Sequence, residues 1–94
     1  MDIDLPVSIK PLDVEINGPG QYRHAETVQD LVGMLMGGRW PKGGANYHTA
    51  LWRSMEAIEW YVDGETARIA FVEAAHEVGL HVLPDDMAEM KKAS

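Results

Sequence analysis

The chain opens with apolar residues two apart: Ile3, Leu5, Val7 and Ile9 alternate with Asp4, Pro6, Ser8 and Lys10. A period of two belongs to a strand, whose side chains point to opposite faces in turn. Pro6 lacks an amide donor, so residues 1–10 suit an edge strand or an extended arm. Pro11 resets the phase. Leu12, Val14 and Ile16 then alternate with Asp13, Glu15 and Asn17, which predicts a half-buried strand with one wet face. In Asn17-Gly18-Pro19-Gly20, Pro19 fixes φ at the first corner and Gly20 supplies the positive φ a type II turn needs next. Gln21 to Ala25 is the returning strand of an antiparallel hairpin.

The period then changes. Thr27 caps a first helix, with Asp30 placed to complete a capping box, and Val28, Leu31, Val32 and Leu35 follow at helical spacing until Gly37-Gly38. Residues 37–45 hold four glycines and a proline around Arg39, Trp40 and Lys42, which predicts a loop pinned by Trp40-Pro41. Asn46 is the expected cap of a second helix over 47–62, with Tyr47, Ala50, Leu51, Met55, Ile58 and Val62 as its core stripe. Asp63 caps a third helix whose stripe is Ala67, Ala70, Phe71, Ala74, Ala75 and Val78, ended by Gly79. Leu80 to Leu83 forms a short last strand before Pro84. The fold class is α+β: an antiparallel hairpin of two or three strands packed against three helices. Its organisation is an arm over 1–10, a single domain over 11–83 and a flexible tail over 84–94.

Ninety-four residues leave room for one small domain and one core. Fifteen acidic and eight basic residues give a net charge of −7, a field that repels phosphate backbones and anionic membrane surfaces. The helices offer Arg53 against Glu56 and Glu59, and Arg68 against Glu73 and Glu77, not a basic recognition face. Neither nucleic acid nor membrane is therefore an expected partner. With no cysteine there is no disulfide, thiolate nucleophile or Cys-ligated metal. The acidic start lacks the basic and apolar regions of a signal peptide, and a cytoplasmic location is expected.

The chemistry-bearing residues form no recognised catalytic, cofactor or metal constellation. Ser8, Ser54 and Ser94 lie in no nucleophile elbow, and Glu56, Glu59, Glu73 and Glu77 read as solvated helix flanks. His76 and His81 are five residues apart, so on a helix they would point about 140° from each other. Two features carry more weight. Arg39 and Lys42 precede the start of the second helix, where free amides and the helix dipole attract anions, so a small anionic ligand is one expectation. Opposite the core stripes lie Trp52 and Trp60 on the second helix and Ile69 and Val72, with His76, on the third. A helix apolar on two faces is either sandwiched within its own fold or covered by another chain. Trp52, Trp60, Ile69 and Val72 are accordingly the expected interface of a homodimer or of a complex with another protein.

The order and spacing of several motifs point the same way. Pro11-Leu12-Asp13-Val14, Gly18-Pro19-Gly20, Tyr22-Arg23, Leu35 with Trp40-Pro41, Ala50, Ala67-Arg68, Ala70-Phe71 and Ala74-Ala75 follow one another over residues 11–80. Together they resemble domain of unknown function 982, a family of short alphaproteobacterial proteins common in rhizobia. The resemblance implies a small α+β bacterial protein, and brings no activity, cofactor or catalytic residue. Many relatives carry a cysteine in the middle of the second helix, where this chain has Ser54. The function expected is a non-catalytic protein-interaction module that self-associates, with anion binding as the alternative.

Overall fold

A computed structural model describes residues 5–41 and 44–86. The element order is β1 (Ser8–Val14), β2 (Arg23–Thr27), α1 (Val28–Met36), α2 (Asn46–Ile58), α3 (Gly64–Glu77) and β3 (Val82–Leu83). The sheet is antiparallel with strand order β2-β1-β3, so the hairpin gains its third strand and the α+β class holds. β1 begins at Ser8, which places Ser8 to Lys10, expected in the arm, within the central strand. Residues 1–4 of that arm lie outside the described residues.

Pro11 sits inside β1 without breaking it. From Ser8↔Thr27 to Leu12↔Ala25 the pairing advances four residues along β1 against two along β2. The bulge absorbs the proline and resets the side-chain phase, which is how a residue without an amide donor fits a paired strand. β3 covers β1 only at Asp13 and Val14. Further back along β1, the Arg68 Nε–H donates to the Lys10 carbonyl at 2.9 Å. Arg68 is almost wholly buried, and its other two nitrogens donate to both oxygens of Asp85 at 3.1 and 2.7 Å. A bidentate pair of this kind fixes orientation as well as charge. It fastens Asp85, expected in a free tail, to α3 and β1, and the guanidinium holds the Asp85 carboxyl below its usual range. Asp86 is buried beside it and accepts from the Val82 amide at 2.6 Å, with the His76 ring 2.9 Å away. Residues 87–94 of the expected tail lie outside the described residues.

The main core joins Leu12, Val14 and Ala25 of the sheet to Leu31, Met34 and Leu35 of α1, Phe71 of α3 and Val82 of β3. Trp40 is buried against Phe71, with ring centroids 5.3 Å apart, so the glycine-rich loop is pinned as expected. At the start of α1 the capping box is complete. The Thr27 hydroxyl accepts from the Asp30 amide, and the Asp30 carboxylate accepts from the amides of Glu26 and Thr27. The Glu26 amide, above all, holds the Asp30 carboxyl below its usual range. Glu26 lies on the outer strand β2, so the same carboxylate blunts an edge open to strand pairing.

The second helix is rotated from expectation. Its buried residues are Ala50, Ser54 and Ala57, while Met55, expected in the core stripe, is half exposed. These small residues face the buried alanines of α3, among them Ala67, Ala70 and Ala74. Small side chains let two backbones approach closely, and the larger Leu51 and Ile58 are left at the margin of the seam. Ser54 is fully buried, and its hydroxyl has no hydrogen-bond partner among the described residues.

On the wet face of the sheet His24 lies between two carboxylates. Its Nδ1 is 2.9 Å from Asp13, its cross-strand partner, and its Nε2 is 3.0 Å from Glu26. The hydrogen bond to Asp13, seconded by Glu26, raises the His24 pKa above its ordinary 6.5. The folded state therefore holds this proton more tightly than the unfolded chain. The contribution is complete below the ordinary value and is lost as pH rises through the raised one.

Two outcomes follow. Ser54→Ala removes an unsatisfied buried hydroxyl and improves helix propensity, so urea unfolding shows a gain of roughly 1 kcal/mol. A loss of stability there would mean that the hydroxyl is bonded in solution. In the same assay the wild-type midpoint falls between about pH 6 and about pH 8.5 more than that of His24→Gln. Parallel profiles for the two proteins would remove the His24 clamp from the stability of the sheet.

Candidate interaction surface

The rotation of α2 decides what the molecule shows to solvent. With Ala50, Ser54 and Ala57 inward, Trp52 and Met55 project outward, 65% and 51% exposed. Trp52 and Met55 form one side of a hollow completed by Met36, His48 and Leu51. They also border a second hollow with Glu56, Glu59 and Tyr61. Tyr61 in turn lines a groove of about 590 Å³ with Val7, Trp60, Val62 and the start of α3. Three adjoining depressions thus share their walls, and one apolar strip runs from Met36 through Trp52 and Met55 to Tyr61 and Trp60. Trp60 and Tyr61 are more than three-quarters exposed. On the margin, Glu56 is paired with Arg53 at 2.7 Å.

The four residues expected at an interface are not brought together. Trp52 and Trp60 lie on the strip. Ile69 is half exposed but on α3, and it lines none of these depressions. Val72 packs against the main core, so its apolar surface already has a use inside the fold. Met36, Met55 and Tyr61 complete the strip instead. The signal for Met55 lay in the run Ala50, Ser54, Ala57, which a helix packing closely on an alanine-rich neighbour would turn inward.

The start of α2 is occupied by the chain itself. Asn46 is the first helical residue, and the residue before it, Ala45, makes no side-chain cap. The Asn46 amide donates instead to Glu77 Oε1 at 2.8 Å. Gly44, at φ 90°, brings the backbone so near that a Cβ would stand 2.6 Å from the same oxygen. Glu77 is thus not a plain solvated flank. It ends α3, where the helix dipole disfavours a negative charge, and meets the start of α2, where the dipole favours one. Arg39 is exposed in the preceding turn, and Lys42 lies outside the described residues. The two histidines of the failed metal spacing face different partners, His76 on Asp86 and His81 at 3.9 Å from Glu15.

A three-stranded antiparallel sheet backed by three helices, with an aromatic strip along the second, defines a small α+β domain with an open apolar face. Residues 10–82 match the family model described as protein of unknown function (DUF982), and the chain belongs to that family. No curated protein and no solved structure matches it. No helix among the described residues is long and apolar enough to cross a membrane.

Glu77→Ala leaves the Asn46 amide without its carboxylate and opens space beside Gly44. Unfolding experiments should show a loss of about 1 kcal/mol, in the range of a lost helix cap. The amide resonances of residues 44–47 should shift more than those of α1. An unchanged stability would show that water caps the helix equally well.

Proposed function

We propose that this protein is a non-catalytic interaction module that self-associates as a homodimer through the aromatic strip. The observation that supports this reading is the continuity of Trp52, Met55, Tyr61 and Trp60, all at least half exposed on one side of the molecule. Tryptophan and tyrosine are enriched among residues that dominate binding energy, and methionine adapts to the surface it meets. Ile69 and Val72 drop out as anchors, and Met55 and Tyr61 take their place. The other expectation, a small anionic ligand held by Arg39 and Lys42, draws less support. An anion at the start of α2 would compete with Glu77 for the Asn46 amide.

Light scattering behind size exclusion, at two concentrations roughly a hundredfold apart, tests the reading. The wild type should run at twice the chain mass of 10.4 kDa at the higher concentration. Trp52→Glu with Trp60→Glu should run as a monomer with unchanged circular dichroism, since both rings lie outside the core. An unfolded double variant would make the rings structural. A wild type that stays at 10.4 kDa throughout would overturn self-association.

A further inference from the structure

Two helices of this chain end in the same hydrogen-bonded closure but place different residues at its left-handed position. After α3 the Gly79 amide donates to the His76 carbonyl at 3.0 Å and the Leu80 amide to that of Ala75 at 2.9 Å, with Gly79 at φ 80°. After α2 the Trp60 amide donates to the Ala57 carbonyl at 3.1 Å and the Tyr61 amide to that of Glu56 at 2.8 Å. Here the left-handed residue is Trp60, at φ 71°, the one non-glycine residue with positive φ among those described. Glycine takes this conformation freely, whereas a residue with a Cβ is crowded by its own carbonyl. Packing inside the fold does not offset the strain, because the Trp60 side chain belongs to neither core cluster and the residue is 77% exposed. A strained backbone that carries a solvated indole points to a use for the ring outside the monomer.

We propose that Trp60 is the anchor of the self-association interface, its indole seated in the groove beside Val7 and Val62 of a second copy. This rests on the self-association reading above. The occupant is a second copy on grounds of area and symmetry. At ~200 Å² for a whole aromatic side chain, Trp52, Trp60 and Tyr61 leave roughly 450 Å² in solvent, and Met36 and Met55 extend it. A standard interface buries about 800 Å² on each partner, so this one strip supplies more than half of what a stable dimer needs. A two-fold axis sets the same patch against itself, and Trp60 sits at the groove of about 590 Å³ that its counterpart would enter. One residue then serves as both plug and wall, and its backbone conformation aims the ring outward.

The test separates folding from assembly with Trp60→Gly, and with Trp60→Asn, which accepts a left-handed φ without the extra unfolded-state freedom of glycine. At concentrations where every protein is monomeric, Trp60→Gly should raise Tm by roughly 4–8 °C, and Trp60→Asn should move it the same way. At high concentration both should weaken dimerisation by about 30-fold or more, as loss of an anchor does. Trp52→Glu should weaken dimerisation with no gain in Tm. If the Trp60 variants dimerise like wild type while Trp52→Glu does not, the strip is the interface and Trp60 is not its anchor. If both Trp60 variants lower Tm, the indole supports the monomer and the inference falls. A wild type that is monomeric at every concentration removes the self-association reading and this inference together.

Discussion

The close seam between α2 and α3 is the constraint on which the rest of the molecule depends. Ala50, Ser54 and Ala57 face an alanine-rich side of α3, and only small side chains let the two helices lie this near. Close packing turns those three residues inward, and with a helix's fixed angular spacing it must turn Trp52 and Met55 outward. The open aromatic face is therefore a geometric consequence of the seam. A larger residue at position 54 would push the helices apart and roll α2, moving the strip with it. The full burial of Ser54 also says what a cysteine at this position would be. In this setting a thiol would be a small apolar group in a seam, removed from solvent and from any reactant.

Around that seam the chain uses carboxylates as fasteners. Asp30 and Asp63 cap α1 and α3, Glu77 caps α2 from another helix, and Asp85 and Asp86 hold the segment after β3. The Thr66 hydroxyl, first of all, holds the Asp63 carboxyl low, as the Arg68 guanidinium does for Asp85. Depressed carboxyl groups stabilise the fold above the ordinary carboxylate range and lose that contribution as pH falls through their folded values. His24 acts with the opposite sign at higher pH. The fold is thus fastened from both sides of neutrality, by different groups in different places.

The sequence made the local features legible and left the tertiary ones hidden. The Thr27 and Asp63 caps and Gly79 depend on neighbours within a few residues and stand where expected. The returning strand expected over residues 21–25, by contrast, lies at Arg23–Thr27, and the expected Asn46 cap gives way to Glu77. The face of α2 was misread because its apolar residues spread around the helix, and hydrophobicity favoured Met55 over Ser54 as core. Only the partner helix decides between them. Glu77 and Asn46 meet across 31 positions, and Arg68 and Asp85 across 17, so neither pairing has a local signature. The exposed Trp52 and Trp60 were legible as a second face. Their junction through Tyr61 was not, because it needs the left-handed turn at Trp60, which spacing alone gives no reason to expect at a tryptophan.

A chain with net charge −7 would seem poorly suited to meet its own copy. The distribution of the charge answers this. Much of it is engaged in the caps and tail fasteners, and Asp13 and Glu26 flank His24 on the wet face of the sheet. On the strip, Glu56 is paired with Arg53, and Asp63, at the groove, is engaged as the cap of α3, while Glu59 borders the hollow beside Tyr61. The other walls are mainly methionine, leucine, valine and aromatic side chains. Charges farther apart than about 8 Å are largely screened at physiological ionic strength. Repulsion between copies then acts at long range and weakly, while contact on the strip removes apolar surface from water. The acidity of the chain is thus compatible with the proposed association through the strip.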